Sequence, residues 1–401
     1  MAVSATLAAH QVVEQRRRAG LPVLPLSFGQ AGVPVHPLLV EALAGAATRN
    51  DYGPPAGDPA LLEAAADWWS RRGLPTVPEQ MVSAPGSKAL LFATLYAVGG
   101  DVVLPRPSWV SYAPQVRLAG ANVLSVPTRP GEGGVPDPDL LEKAVRGADR
   151  PVRAVVVTLP DNPTGLLPSP DSVRRLCALA RELDLTIISD EIYRDLVYPG
   201  AELVSPAELA PERTVVTTGL SKNLALGGWR LGVARFPQGR LHDTVLTIGS
   251  ELWSCPTRPV EAAAALAFGE PPELRSYVVR AAEVYRRINT AVARRFAAAG
   301  AEVTLPHASF YCYPDLSPRL SGLTGPQAAA RLLGDHGVAV LPGVEFGEEE
   351  SSLRFRVATG QLTGRTDEQR RTVLDASDPL EVPWVAESLE HLSGALDAFL
   401  R

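Results

Sequence analysis

Lysine is nearly absent. Of 38 basic residues only Lys88, Lys143 and Lys222 are lysine, and the rest are arginine. Cysteine is rare as well: Cys177, Cys255 and Cys312 lie far apart, are odd in number and show no CxxC or CxxH spacing. That argues against a disulfide framework and against a zinc site. The six histidines form no HxxxH pair, so no metal is expected. No apolar run approaches the ~18–20 residues that span a bilayer. The opening Met1-Ala2-Val3-Ser4 is not a basic segment leading into a long apolar one, so no signal peptide is read and cytoplasmic residence is expected. The formal net charge is −6, with no basic stripe, which excludes nucleic acid as the expected partner.

The lysine shortage gives the three survivors weight. Arginine serves wherever only a positive charge is needed. Lysine can shed its proton and attack a carbonyl, and arginine cannot. Lys143 has an ordinary explanation: Pro138-Asp139-Leu140-Leu141-Glu142-Lys143-Ala144 reads as the wet face of an amphipathic helix. Lys88 and Lys222 do not.

At 401 residues the chain exceeds the ~250–300 at which one core stops growing, so two domains are expected. Between about residues 80 and 235 short apolar runs alternate with helical stretches. Val102-Val103-Leu104, Ala154–Val157, Thr186-Ile187-Ile188 and Thr214-Val215-Val216 are β-branched and apolar, as strands of a parallel sheet covered on both faces are. Leu176–Leu183 reads as a crossover helix and residues 273–300 as a long one. Val303–Leu305, Phe310–Tyr313, Ala339–Leu341 and Leu353–Val357 read as strands of a smaller α+β unit, closed by a helix over Trp384–Leu400. The expected organisation is a large α/β domain over 40–275 and a small domain built from 1–39 and 276–401.

Ligands of an open α/β sheet sit beyond the carboxyl ends of its strands. Beyond the first run comes Trp109. Beyond the second come Asp161-Asn162-Pro163-Thr164-Gly165, and beyond the third Asp190, Glu191 and Tyr193. Beyond the fourth come Ser221, Lys222 and Arg230. Singly these are unremarkable. Asn-Pro is a turn signal, Asp190 can cap a helix, and Tyr193 and Trp109 can be packing. Together they supply what pyridoxal phosphate needs. Lys222 meets the aldehyde, and Asp190 keeps the ring nitrogen protonated. Tyr193 and Asn162 donate to the ring oxygen, and Trp109 covers the ring face. Gly86-Ser87-Lys88 opens the helix Ala89–Ala97 and offers its N-terminus to a phosphate; Arg230 adds a guanidinium. The glycines Gly227, Gly228 and Gly232 do not spell a dinucleotide fingerprint.

These segments resemble the class I/II aminotransferases of pyridoxal-phosphate fold type I, most of all the bacterial aspartate aminotransferase branch. The likeness is carried by Asn162-Pro163-Thr164-Gly165, by Ser189-Asp190-Glu191-Ile192-Tyr193 and by Ser221-Lys222-Asn223 through Gly228-Trp229-Arg230-Leu231-Gly232. Asn162 precedes Asp190 by 28 residues and Arg230 follows Lys222 by 8, spacings similar to the family's. Ala308–Tyr311 and Pro342–Gly347 are similar to two further family segments. The resemblance implies a mostly parallel seven-stranded sheet between helices plus a smaller α+β domain. It implies a homodimer with shared sites, in which Tyr52, from Tyr52-Gly53-Pro54-Pro55-Ala56-Gly57, reaches the partner subunit's cofactor phosphate. It also implies that an arginine in Leu353-Arg354-Phe355-Arg356-Val357-Ala358-Thr359 grips the substrate carboxylate. Arg354 is the better match, with Arg356 on the same strand face as rival or helper. The glycine that donates its N–H to that carboxylate is Gly29 or Gly32, and Gly29 is taken as the site residue.

The implied reaction is transamination between an L-amino acid and a 2-oxo acid. Lys222 acts as base and acid, and Asp190 and Tyr193 support the cofactor. Lys88 and Ser4-Ala5-Thr6 hint at an acidic donor or acceptor. The alternatives are another pyridoxal-phosphate reaction on the same fold, such as a β-lyase, cyclase or oxidase, or a non-catalytic sensor. The sensor would carry a DNA-binding helix-turn-helix, and no basic recognition helix is seen. The stretch Gly360–Pro383 is longer than the resemblance leads one to expect and has no assigned role.

Overall fold

The computed structural model describes residues 4–401. Met1, Ala2 and Val3, read above for a leader, lie outside the described residues. No helix among the described residues is long and apolar enough to cross a membrane, and no cluster of His, Cys, Asp and Glu among them is arranged to hold a metal ion.

The strands, in chain order, are β1 (Leu24–Pro25), β2 (Met81–Ala84), β3 (Asp101–Arg106), β4 (Val123–Pro127), β5 (Val152–Thr158) and β6 (Thr186–Asp190). They continue with β7 (Thr214–Gly219), β8 (Gly232–Arg235), β9 (Tyr311–Cys312), β10 (Val338–Ala339), β11 (Leu341–Pro342) and β12 (Phe355–Ala358). Seven form one sheet in the order β2-β8-β7-β6-β5-β3-β4. Only β8 runs against its neighbours. All four expected central strands are present; β2, β4 and β8, shorter or more polar, gave no comparable apolar run.

The period of two along a strand sorts the sheet's residues onto two faces. Val155, Val157 and Ile187 pack with Val173, Leu176 and Ala180 of the helix Pro170–Glu182. Ala154, Val156 and Ile188 pack with Leu91 and Leu95 of the helix Ser87–Val98 on the other side. These strand residues are fully buried, each valine or isoleucine side chain contributing about 1.5–3 kcal/mol. The chain steps from β3 to β4 in one direction and then crosses back to β5. That reversal opens a crevice at the carboxyl ends of β3 and β5.

A second set of elements packs beside this sheet. It comprises the antiparallel trio β11-β12-β9, the parallel pair β1-β10 and the 27-residue helix Pro272–Ala298. Two expectations fail here. Val303–Leu305 forms no strand; its neighbour Glu302 makes only an isolated bridge to Asp315. The run Ala339–Leu341 is split between β10 and β11. The stretch after Thr359 is not an open loop. It holds a turn, Gly360–Thr363, and a helix, Asp367–Asp375, started by a reciprocal Thr366–Gln369 cap, before the last helix Pro383–Phe399.

Candidate active site

A cavity of about 470 Å³ lies at that crevice, between the large sheet and the β9–β12 region. Lys222, three residues beyond the end of β7, projects its amine into it and donates to the Gly29 carbonyl at 2.7 Å. Burial, and then the charge of Arg356, bring this amine down to about 8, against the pull of Asp190.

Asp190 ends β6, in register between Thr158 of β5 and Thr217 of β7. Its carboxylate accepts from the Tyr112 hydroxyl at 2.9 Å, from the Ile192 amide at 3.3 Å and from the Thr217 hydroxyl at 3.4 Å. Tyr112 is fully buried and also meets Thr158 at 2.8 Å. Burial nonetheless pushes the acid up to about 6, the hydrogen bonds opposing it. Tyr112 was not singled out from sequence. Its signal was available: it lies three residues after Trp109, and a buried phenol needs a polar partner.

Asn162 stands on the turn after β5. Buried Asp161 holds that turn, accepting from the Thr164 hydroxyl at 2.5 Å and its amide at 3.2 Å. The Asn162 oxygen faces Arg356 of β12, which donates from Nη1 at 3.2 Å and from Nη2 to the Ser27 carbonyl at 2.7 Å. Arg356 is 1% exposed, and its Nε has no partner. Its guanidinium sits 5.1 Å from the rings of Tyr311 and Phe346. No aspartate or glutamate among the described residues ion-pairs with it. Tyr193 completes the wall, with its hydroxyl 2.8 Å from that of Tyr311 and 3.5 Å from the Asn162 amide.

Arg354 is therefore not the cavity arginine. It is half exposed, held by Asp315 at 3.1 Å and Glu348 at 3.4 Å, and lies outside the cavity. β12 begins only at Phe355, and Arg354 meets Asp315 across an isolated bridge at the strand's outer end. Its charge is already answered there. The two glycines also separate. Gly29 lines the cavity, so close to Tyr311 that a Cβ would overlap the phenol oxygen, whereas Gly32 is packed against Gly360 and Thr363 behind it.

At the other end the helix Ser87–Val98 begins. Gly86, at φ +92°, caps it, and a Cβ there would strike the Arg230 guanidinium. Gly232 lets β8 touch the Ser87 backbone directly. Ser87, Lys88, Ser221 and Arg230 face the cavity together. The Lys88 ammonium lies 4.9 Å from the Trp109 ring centroid, and burial followed by the Arg230 charge lowers its pKa. Tyr52 is on the surface, 88% exposed, away from its own chain's cavity.

These residues fit pyridoxal phosphate on their own chemistry. An amine held low faces the cavity, and a buried acid held high is short of a cation. A helix N-terminus with a guanidinium can take a phosphate, and an unpaired buried arginine can take a carboxylate. Fold and site define a fold-type-I pyridoxal-phosphate-dependent transferase.

The chain belongs to the aminotransferase class I and II family, whose model matches residues 25–373. It is 35% identical over 352 residues to the aspartate/prephenate aminotransferase of Thermus thermophilus, covering 86% of this chain and 89% of that one. It is 31% identical over 369 residues to the aspartate aminotransferase of Geobacillus stearothermophilus, covering 89% and 92%. Among solved structures, an aspartate aminotransferase from Thermus thermophilus with maleate superposes with a TM-score of 0.85 at 32% identity, over 98% of this chain and 97% of that one. The protein is an aminotransferase, and pyridoxal phosphate is its cofactor.

Proposed function

We propose that the enzyme moves an amino group between an acidic L-amino acid and a 2-oxo acid, with Arg356 and Asn162 gripping the α-carboxylate. One observation carries the reading: Arg356 is buried beside Asn162, and no acid among the described residues pairs with it. An uncompensated buried charge costs several kcal/mol, and a substrate carboxylate removes that cost. Lys88 and the relatives named for aspartate and for aspartate/prephenate support an acidic substrate.

The cofactor, when bound, supplies the carbonyl carbon that takes the amino group and a ring that accepts electrons. Lys222 would hold that carbon before substrate arrives. Its amine, near 8, would then take the proton from the substrate Cα and deliver it, as an acid, to that carbon. Asp190 holds a proton on the ring nitrogen, and Tyr112 fixes the carboxylate's direction. Tyr193 and Asn162 would donate to the ring oxygen, and Trp109 would cover the ring. The Gly86-Ser87-Lys88 amides, Ser221 and Arg230 hold the phosphate, joined by Tyr52 of a second copy in a cytoplasmic homodimer. Gly29 borders the carboxylate site. The proposed enzyme has a large domain, 40–275, and a small one, 1–39 with 276–401.

The test is a panel of L-amino acids added to cofactor-loaded protein, read by the cofactor's visible absorption and by 2-oxo acid release. Aspartate or glutamate should convert. If neither does while neutral donors do, the acidic substrate is wrong.

A further inference from the structure

The stretch between Thr359 and the last helix has no role in the proposed chemistry. None of its residues beyond Thr359 lines the cavity, yet it is folded and well packed: Leu362, Thr363 and Val373 are buried. From the geometry we infer that it is a fixed brace for the Phe28–Ala31 wall of the substrate cavity, with Thr363 as the positioning residue. The inference rests on the reading of that cavity as the amino-acid site.

Phe28, Gly29, Gln30 and Ala31 all face the cavity. At its leading end this wall is held by Tyr311, whose hydroxyl leaves Gly29 no room for a side chain. At its trailing end Gly32 is held twice. Its amide donates to the Tyr285 hydroxyl at 2.9 Å. Its carbonyl accepts from the Thr363 hydroxyl, which also reaches the Gly360 carbonyl at 3.1 Å. Gly32 and Gly360 lie backbone to backbone: a Cβ on Gly32 would overlap the Gly360 carbonyl, and one on Gly360 the Gln30 carbonyl. The brace is anchored in turn. Trp384 donates from Nε1 to the Thr363 carbonyl at 3.1 Å, and Arg287 of the long helix grips Asp378 at 2.9 Å.

The same stretch continues β12, which carries Arg356. The carboxylate-binding arginine, which donates to the Ser27 carbonyl, and the adjoining Phe28–Ala31 wall are therefore seated on one folded unit, and their relative placement is set before substrate arrives. A preset placement costs no ordering on binding.

The test uses full-length, cofactor-loaded enzyme and Thr363→Val, which keeps the shape and removes the donor, leaving the buried Gly32 carbonyl unanswered. The amino acid concentration for half-maximal cofactor conversion should rise roughly tenfold, the scale of one lost buried hydrogen bond. The maximal rate and the affinity for pyridoxal phosphate should change little. Thr363→Ser should restore wild-type behaviour. An unchanged half-saturation in Thr363→Val, or an equal loss of cofactor affinity, overturns the brace. If Thr363→Val does not fold, Trp384→Phe should show the same one-sided rise, and an unchanged half-saturation there overturns it equally. Wild-type enzyme that binds cofactor but converts with no amino acid would instead sink the substrate-site reading, and the brace with it.

Discussion

Arg356 donates to the side-chain oxygen of Asn162 at 3.2 Å, and that amide takes the place an acid would fill beside a buried arginine. Asn162 orients the guanidinium without neutralising it, so the charge stays available to a ligand. Two residues earlier Arg354 is already paired with Asp315 and Glu348.

The pair gives an asymmetric prediction. Arg356→Met should lower kcat/KM by about 10²–10³-fold, the loss expected when one partner of a buried charge contact is removed. Arg354→Met should stay within about threefold, as exposed ion pairs contribute little. The cofactor-free Arg356→Met protein should melt no lower than wild type, because an uncompensated buried charge has been removed. Steady-state kinetics and thermal melts check both.

Asp190 predicts a pH dependence of stability. Burial raises it from the ordinary 3.8 to about 6, so the folded protein without cofactor binds more protons than the unfolded chain across that interval. Its contribution to stability is fully present below pH ~4 and is lost as pH rises through about 6. At pH 8, Asp190→Asn should be more stable than wild type by up to about 3 kcal/mol, the 1.36 kcal/mol per pKa unit of linkage. The difference should vanish near pH 4. Denaturant melts of cofactor-free protein at the two pH values read this out.

Lys222 predicts the pH profile of cofactor uptake. Only the neutral amine attacks a carbonyl, so the rate of covalent uptake should rise with pH and level off above about 8. Arg356 is the largest charge lowering that amine. Arg356→Met should therefore move the midpoint to higher pH. Absorbance-monitored mixing with pyridoxal phosphate across pH 6–10 measures both, and an unmoved midpoint would contradict the coupling.

Tyr52 predicts complementation between subunits. Lys222→Ala and Tyr52→Ala should each be severely impaired alone. Mixed under conditions that exchange subunits, they should recover up to about a quarter of wild-type activity, because half the dimers are hybrids with one intact site of two. No recovery would place Tyr52 outside any shared site.

Much of the site was legible because it sits where sequence period and sheet topology coincide. Asn162, Asp190 and Lys222 each follow a buried apolar strand, and parallel strands bring their carboxyl ends to one edge. Lys222 carried an additional signal in a chain that replaces nearly every lysine by arginine. Tyr112 was overlooked although Trp109 stands three residues before it, because the acid it serves lies 78 residues away and only the fold joins the two. The short strands of the second region were misjudged for a related reason. Two-residue pairings such as β1 with β10 are made by tertiary contact and leave no periodic trace.

The sequence by itself determined the four central strands of the sheet, the order in which polar groups meet its edge, and the cofactor those groups accept, because each depends on residue types within a few positions of one strand end. Only the tertiary structure separates Arg356, which lines the cavity, from Arg354, which does not. The period of two assigns both to one strand face, and Asp315, Glu348 and Asn162, from distant segments, part them. The contact of Gly32 with Thr363, 331 residues apart, is of the same kind: chain folding made it, and no local pattern encodes it.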